Sequence, residues 1–453
     1  MGDDVLEVDL LIAGGGMAGM VAAAYAAERG QVVLVVEKQA GIGGSALISG
    51  GGLWTAADYE TMRRVNPLGE DAKAHIVLDN FDAVGDFIAS LGTMIEERAP
   101  YIGTQSFDGI VRRLDVADFM KRARSSIQAA GGFVVTQSTI ASLFREGGRV
   151  TGGRVSGPDG DVDVRARYTL LATGGFQNDP ELRAAHITPA ARHAAVRSNP
   201  ASDGQGLRLA LEAGASTSER MGGFYGHTIP YPIDLPMEHQ DYIPFAQFYL
   251  SPRAILLDEK GRRFTDESRG YYLNAQEVLE LPRGRALLIF DQTLREDDTE
   301  RFGVDRFDFA RRRGAHVASA STAGALKLAV ASWGYANVAD AIAGYNAALQ
   351  HDSPLDPPRN ANRRPLEGEL FAIEVQPAIT FTHGGIRTDE KAQVLDRQGQ
   401  VIEGLLAAGA DVGGTYYRAY AGGLAMASTA GLVAARTALG EARQRRAAPA
   451  GPI

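Results

Sequence analysis

The sequence predicts an α/β chain whose nucleotide-type domain is interrupted by a second, α+β domain. Three observations carry that expectation. Between Val8 and Glu37 a strand pattern, a glycine turn, a helix pattern and a second strand pattern follow one another (VDLLIAGGGMAGMVAAAYAAERGQVVLVVE). From Gly222 the texture changes to proline and aromatics with little helical period (GGFYGHTIPYPIDLPMEHQDYIPF). The glycine- and alanine-rich style then returns, in HGGIRTDEKAQVL and GLLAAGADVGG. The expected division is 1–222 with 383–453 for the discontinuous domain and 223–382 for the insert.

Each element follows from residue type and spacing. The run from Asp9 to Ala13 reads as a buried parallel strand. Gly14, Gly16 and Gly19 fit G-x-G-x-x-G, a tight turn that lets backbone approach a pyrophosphate at a helix N-terminus. The alanine-rich helix stops at Gly30. Strand Val32 to Val36 delivers Glu37, 18 residues after Gly19, near the roughly 20-residue spacing of an acid that bonds a ribose hydroxyl. The unit is Rossmann-like. A membrane span is rejected, because a spanning helix rarely starts with three glycines and Glu28-Arg29 follow at once.

A second cluster, AGIGGSALISGGGLW, is too glycine-rich for helix or flat strand. It is expected to hold backbone against an extended cofactor, with the Ser45 and Ser49 hydroxyls available to it. Asp71 to Leu91 and Asp115 to Ala130 read as amphipathic helices. A hairpin turns at Gly147-Gly148, and the strand Tyr168 to Leu171 exits in a glycine turn at Gly174-Gly175. Ser202 to Ala215 is a glycine-led helix. Arg253 to about Ile373 mixes strands and helices and is rich in arginine. The tail from Gln444 is expected to be disordered.

Composition narrows the chemistry. A net charge of −9 argues against nucleic acid or anionic membrane as main partner. With no cysteine, disulfides, cysteine-ligated clusters and thioether-attached haem are excluded. The eight histidines show no metal-ligand spacing. Redox chemistry would need a bound organic cofactor. No export leader precedes Val8, so the cytoplasm is the expected address.

Taken in order, GGGMAGMVAAAYAAERG, VVEK, GGSALISGGG, LATGGF, GQGLRLALEAGA, GRRFTDES, IFDQTLR, THGGIRTDEKAQVLD, GLLAAGADVGG and AYAGGLAMAS resemble one flavoprotein superfamily. It is that of fumarate reductase and succinate dehydrogenase, with the 3-ketosteroid Δ1-dehydrogenases and tricarballylate dehydrogenase. The resemblance spans nearly the whole chain. It implies FAD held by the N- and C-terminal pieces, under a mobile capping domain, and hydrogen transfer across a carbon–carbon bond beside a carbonyl or carboxylate. It implies Gly14, Gly16, Ala18 and Gly19 at the pyrophosphate, and Glu37 with Lys38 at the adenosine ribose. Gly43, Gly44, Ser45, Gly51 and Gly52 would line the phosphates and flavin, and Ala172, Thr173 and Gly174 would lie near the adenine. Asp411 stands where the family has glutamate against the ribityl chain. The second cluster holds no histidine, so FAD is expected to be non-covalent.

On the substrate side the chain departs from fumarate reductases. Tyr420 stands where they carry an arginine, and Ala254 and Thr380 where they carry histidines; His383 is displaced by three residues. A dicarboxylate would lose charge-assisted contacts there. The ketosteroid branch has a tyrosine at this place, which with a backbone N–H binds the ketone oxygen; that N–H would belong to Leu424. A second tyrosine, here Tyr271 with Tyr272 as its rival, would take the α-proton, helped by Arg269 and Arg295 as nearby cations. Arg295 also resembles the proton-donating arginine of fumarate reductases. Tyr101, Tyr225, His227 and Tyr249 are candidates for the pocket wall.

The leading expectation is an FAD-dependent dehydrogenase or ene-reductase of a small carbonyl compound, with an unidentified electron partner. A tricarballylate-like acid dehydrogenase is the alternative within the class, its carboxylates held by arginines between Arg253 and Arg295. An FAD-binding electron carrier or redox sensor, and a nicotinamide enzyme, are the alternatives outside it.

Overall fold

A computed structural model describes residues 5–101, 107–233, 237 and 241–441. One sheet of eight strands forms the nucleotide side. Its main path runs Gln393–Leu395, Val401–Ala407, Gly160–Leu171, Leu6–Ala13, Val33–Val36 and Phe133–Val135. The pairings from Val401–Ala407 through to Phe133–Val135 are all parallel, and Leu10–Ala13, Val33–Val36 and Leu170–Leu171 at their centre are apolar and buried. The expected hairpin, Thr139–Glu146 with Arg149–Gly157, hangs off the Gly160–Leu171 strand.

Helix Met17–Ala27 is buried at every residue, which explains why it shows no polar face. It packs on the C-terminal helix Gly423–Ala438. The alanines let the two backbones approach: a Cβ on Gly431 would stand 2.3 Å from the Ala18 carbonyl oxygen. The helices expected around Asp71 and Asp115 are Asp71–Ser90 and Val116–Ala129. Asp115 caps the second, its carboxylate accepting from the Asp118 N–H.

The second sheet has six strands, built on the buried Leu370–Thr382 strand. Phe224–Pro230, Ala286–Asp291 and Val317–Ala320 pair with it antiparallel, and Ile255–Leu257 extends the Ala286–Asp291 edge. The short strand Ala195–Val196 also joins this sheet, although it lies upstream of Gly223. Two residues are too few to show a strand pattern.

A small third sheet joins Gly52–Ala56, Ala99–Tyr101 and Gly109–Arg113. The end of the second glycine cluster is therefore strand, against expectation, because Leu53, Trp54 and Thr55 supply the strand-forming side chains that the glycines lack. No helix among the described residues is long and apolar enough to cross a membrane. The tail from Gln444 lies outside the described residues.

Candidate active site

A cavity of about 580 Å3 draws its walls from both large sheets and their connections. Its glycine side is made of Gly14, Gly16, Ala18, Glu37, Lys38, Gly44, Ser45, Gly52, Ala172, Thr173 and Gly174. Gly14 takes φ +104°, and a Cβ there would meet the Ala172 carbonyl oxygen at 2.3 Å, so only glycine fits where the two strand ends converge. Gly16 begins the first helix with no side-chain cap and no acidic residue in the first turn. Its N–H groups and the positive helix end are left to the cavity, an arrangement suited to a pyrophosphate.

The Glu37 carboxylate accepts from the Gly15 N–H at 2.7 Å and the Gln39 N–H at 2.8 Å. Two of its roughly four acceptor sites remain for ribose hydroxyls. Lys38 is held by Asp203 at 2.6 Å. This donor and acceptor set fits FAD.

Four expected contacts with the cofactor stand off the cavity wall. Gly19 lies behind the turn, where a Cβ would meet the Gly14 carbonyl oxygen at 2.0 Å. Gly43 and Gly51 are off the cavity wall, and the Gly43 N–H ties the second cluster to the Gly15 carbonyl at 2.7 Å. Asp411 does not reach the cavity. Its carboxylate accepts from the Thr173 N–H at 2.5 Å, the Thr173 hydroxyl and the Gly175 N–H at 2.9 Å. It is saturated with the turn that carries Thr173, and Gly409 and Ala410 form the wall beside it.

The aromatic side holds Tyr101, Tyr225, His227, Phe248, Tyr271, Phe381 and Tyr420. Tyr225 and Tyr420 stack with centroids 3.7 Å apart, Tyr271 and His227 with centroids 4.9 Å apart. Trp54 stands edge-on to Tyr420 at 5.3 Å. The hydroxyls form a network: Tyr225 Oη lies 3.2 Å from Tyr271 Oη and 3.3 Å from His227 Nε2. Tyr420 Oη accepts from the Gly423 N–H at 3.0 Å, so it sits on the positive end of the C-terminal helix. Leu424 follows in that first turn and lines the cavity.

Burial sets the protonation states. It pushes the hydroxyls of Tyr225, Tyr271 and Tyr420 well above the usual tyrosine value, and it holds the His227 imidazole well below its own. At neutral pH all four are uncharged. The tyrosine expected to be made acidic by neighbouring cations is thus a stronger base than a free one, and both expected cations are elsewhere. Arg295 pairs with Asp305 at 2.5 Å and Asp308 at 3.4 Å and lies over Phe307 and Phe371. Arg269 is exposed and acts on Tyr272. Neither lines the cavity. Of the adjacent pair, Tyr271 faces the cavity and Tyr272 does not.

Thr380 is on the wall, whereas Ala254, Tyr249 and His383 are not. His383 is buried with neither ring nitrogen bonded, and burial lowers it to about 3. The arginines expected to hold carboxylates are committed elsewhere: Arg262 to Asp258, Arg263 to Glu267, and Arg283 and Arg285 to Glu374. Those on the wall are Arg113, Arg197 and Arg301. Sequence reasoning missed Arg197 and Asn199, which precede the glycine-led helix in RSNPASDGQG; the polar residues ahead of that helix start were the available signal. It also gave Tyr225 and His227 only a wall role, since their hydrogen bonds depend on tertiary contacts.

A family model described as an FAD binding domain matches residues 9–424. The 4-oxocyclohexanecarboxylate 2-dehydrogenase of Sinomonas cyclohexanicum is 26% identical over 96% of this chain and 93% of its own. A fumarate reductase (cytochrome) of Shewanella frigidimarina is 26% identical over 90% of this chain and 72% of its own. The solved structure of 3-ketosteroid Δ1-dehydrogenase from Sterolibacterium denitrificans superimposes with a TM-score of 0.77 at 19% identity, covering 96% of this chain and 99% of that one. The glycine side already described is what such a family model reads, and on that match the chain belongs to the FAD-binding domain family and is an FAD-dependent oxidoreductase.

Proposed function

We propose that the enzyme transfers hydrogen across a carbon–carbon bond adjacent to the carbonyl of a small ketone, as α,β-dehydrogenation or the reverse ene reduction. The segment 223–382 acts as the cap that closes over the substrate. The observation that carries this reading is the buried hydroxyl network of Tyr420, Tyr225 and Tyr271 on the cavity wall. FAD, when bound, supplies the acceptor or donor of hydride.

Tyr420 binds the carbonyl oxygen. Its Oη already accepts from the Gly423 N–H, which polarises its own proton, and that proton, shared with Tyr225, turns to the incoming carbonyl oxygen. Burial keeps it protonated. With the Leu424 N–H it stabilises the negative charge that grows on the carbonyl oxygen, an effect worth about 10²–10³ in rate per donor. Tyr271 moves the α-proton. As a neutral hydroxyl it is ready to give a proton in ene reduction. For dehydrogenation it must first lose its proton, and the chain through Tyr225 Oη to His227 Nε2 is the hydrogen-bonded route along which that proton would move.

The relative named for dehydrogenating 4-oxocyclohexanecarboxylate supports a ketone substrate. Fumarate is a poor fit, because Ala254 is off the wall, Thr380 and Tyr420 are neutral, and His383 is neutral and buried. Dehydrogenation of a polycarboxylate is the second reading, favoured only by the three wall arginines.

Anaerobic mixing with cyclic ketones, ketosteroids and di- and tricarboxylates tests both. Ketones are expected to bleach the flavin, at a rate that rises with pH because dehydrogenation needs Tyr271 to lose its proton. Bleaching by carboxylates that lack a ketone would replace the first reading with the second. Full turnover in both Tyr420→Phe and Tyr271→Phe would remove the tyrosine chemistry.

A further inference from the structure

Arg197 is the cation whose placement the hydroxyl network leaves unexplained. It is 4% exposed, yet it lines the cavity. Its Nε donates to the Tyr242 carbonyl at 2.7 Å, and its guanidinium lies 5.3 Å from the Tyr242 ring centroid. Among the described residues no carboxylate comes within ion-pair distance of it. The other two wall arginines differ. Arg113 is largely exposed and near Glu96 at 4.0 Å, and Arg301 is exposed over the Tyr249 ring.

Burying a cation without a counter-charge is costly, and several buried arginines of this chain are matched. Arg306 pairs with Asp298 at 2.6 Å, and Arg359 with Glu267 at 3.4 Å. Arg183, equally buried, turns its terminal nitrogens to the Ala194 and Arg192 carbonyls, whereas among the described residues Arg197 bonds through Nε and its guanidinium lines the cavity. Its electrostatic neighbours are Tyr225, Tyr242, Tyr271 and Tyr420, so the positive charge faces the aromatic side. It is carried there by the Ala195–Val196 strand at the edge of the second sheet.

We propose that Arg197 is a carboxylate anchor, and that the substrate is a small keto acid whose carboxylate is held there while Tyr420 holds its ketone. A single buried guanidinium suits a monoanion, which it can grip through two parallel N–H donors. The surrounding Tyr225, Phe248, Phe381 and Tyr420 rings suit an apolar, ring-sized body between the two polar groups. The ketone half of this proposal rests on the function proposed above; the anchor half does not.

The test is an anaerobic titration of the FAD-loaded enzyme, followed by perturbation of the flavin absorbance, with three probes: 4-oxocyclohexanecarboxylate, its methyl ester, and cyclohexanecarboxylate. Wild type is expected to bind each acid, and to prefer the keto acid over its ester by about 30- to 100-fold, the worth of a charge-assisted pair. In Arg197→Gln the ratio of acid to ester affinity falls to about one, and Arg197→Lys restores part of it. Binding of cyclohexanecarboxylate that Arg197→Gln abolishes, with no bleaching by either ketone, would support the anchor and remove the ketone reading. Equal affinity of wild type for acid and ester would overturn the anchor. So would an Arg197→Gln enzyme that folds and binds FAD weakly but, once reloaded with excess FAD, keeps the wild-type acid-to-ester ratio, since the arginine would then serve the cofactor.

Discussion

The two sides of the cavity are built by opposite means. The glycine side is mostly backbone: a turn at Gly14, an uncapped helix start at Gly16, and a carboxylate, Glu37, that holds the turn while keeping acceptors to spare. The aromatic side is almost all side chain, and its members come from six separate stretches between Tyr101 and Tyr420. The first arrangement recognises phosphate and sugar, which every FAD carries. The second faces the part of the reaction that varies from enzyme to enzyme. A generic ligand can be held by geometry common to a family, whereas a particular one requires individual side chains.

Breaking the glycine side should abolish the enzyme outright. In Gly14→Val the branched side chain meets backbone at a positive φ, with no flexible group to yield. The purified protein is expected to be colourless and inactive; normal visible absorbance would show that the turn tolerates the change.

On the aromatic side the expected loss is large but selective. Tyr420→Phe should keep its FAD and lower kcat by about 10²–10³, measured by single-turnover bleaching. A comparable loss of FAD would instead make Tyr420 part of the cofactor side.

Glu37→Gln is expected to weaken FAD binding by about tenfold to a hundredfold. An amide cannot accept through both of its groups, so either the Gly15 or the Gln39 N–H loses its acceptor, at about 1–3 kcal/mol. Equilibrium dialysis of the apoprotein measures it, with kcat of the reloaded enzyme unchanged.

The last effect, nil at neutral pH, concerns folding. His383 sits at about 3 in the fold against an ordinary value of 6.5. Between those values the unfolded chain binds a proton that the native one refuses, so stability falls as pH falls from 6.5 toward 3. The slope is about 1.4 kcal/mol per pH unit, and above 6.5 this group contributes no pH dependence. His383→Leu should flatten the acid limb of a plot of urea midpoint against pH; an unchanged limb would assign it to other groups.

The glycine side was legible because local rules write it. Gly14, Gly16 and Glu37 stand at fixed offsets in one strand–turn–helix–strand unit, and each offset has a steric or hydrogen-bonding reason. Tyr420, Tyr271 and Leu424 were found by resemblance, and residue spacing alone would not have joined them. Arg197 and the Tyr225 hub were not legible, since a two-residue strand and a pairing of distant rings leave no periodic trace. Asp411 shows the opposite error. An acid in the right motif was expected to touch the cofactor, yet its oxygens are consumed by the Thr173–Gly175 turn. Arg269 and Arg295 stand off the wall for a related reason: a cation expected beside a cavity tyrosine can find its own carboxylate or solvent first.

The ring pair formed by Tyr225 and Tyr420 joins partners from different lobes. One belongs to the Phe224–Pro230 strand of the second sheet, the other to the approach to the C-terminal helix. Separating the two rings would part Tyr420 from Tyr225 but leave Tyr271 and His227 on the Tyr225 hydroxyl, because those three belong to one continuous segment of the chain.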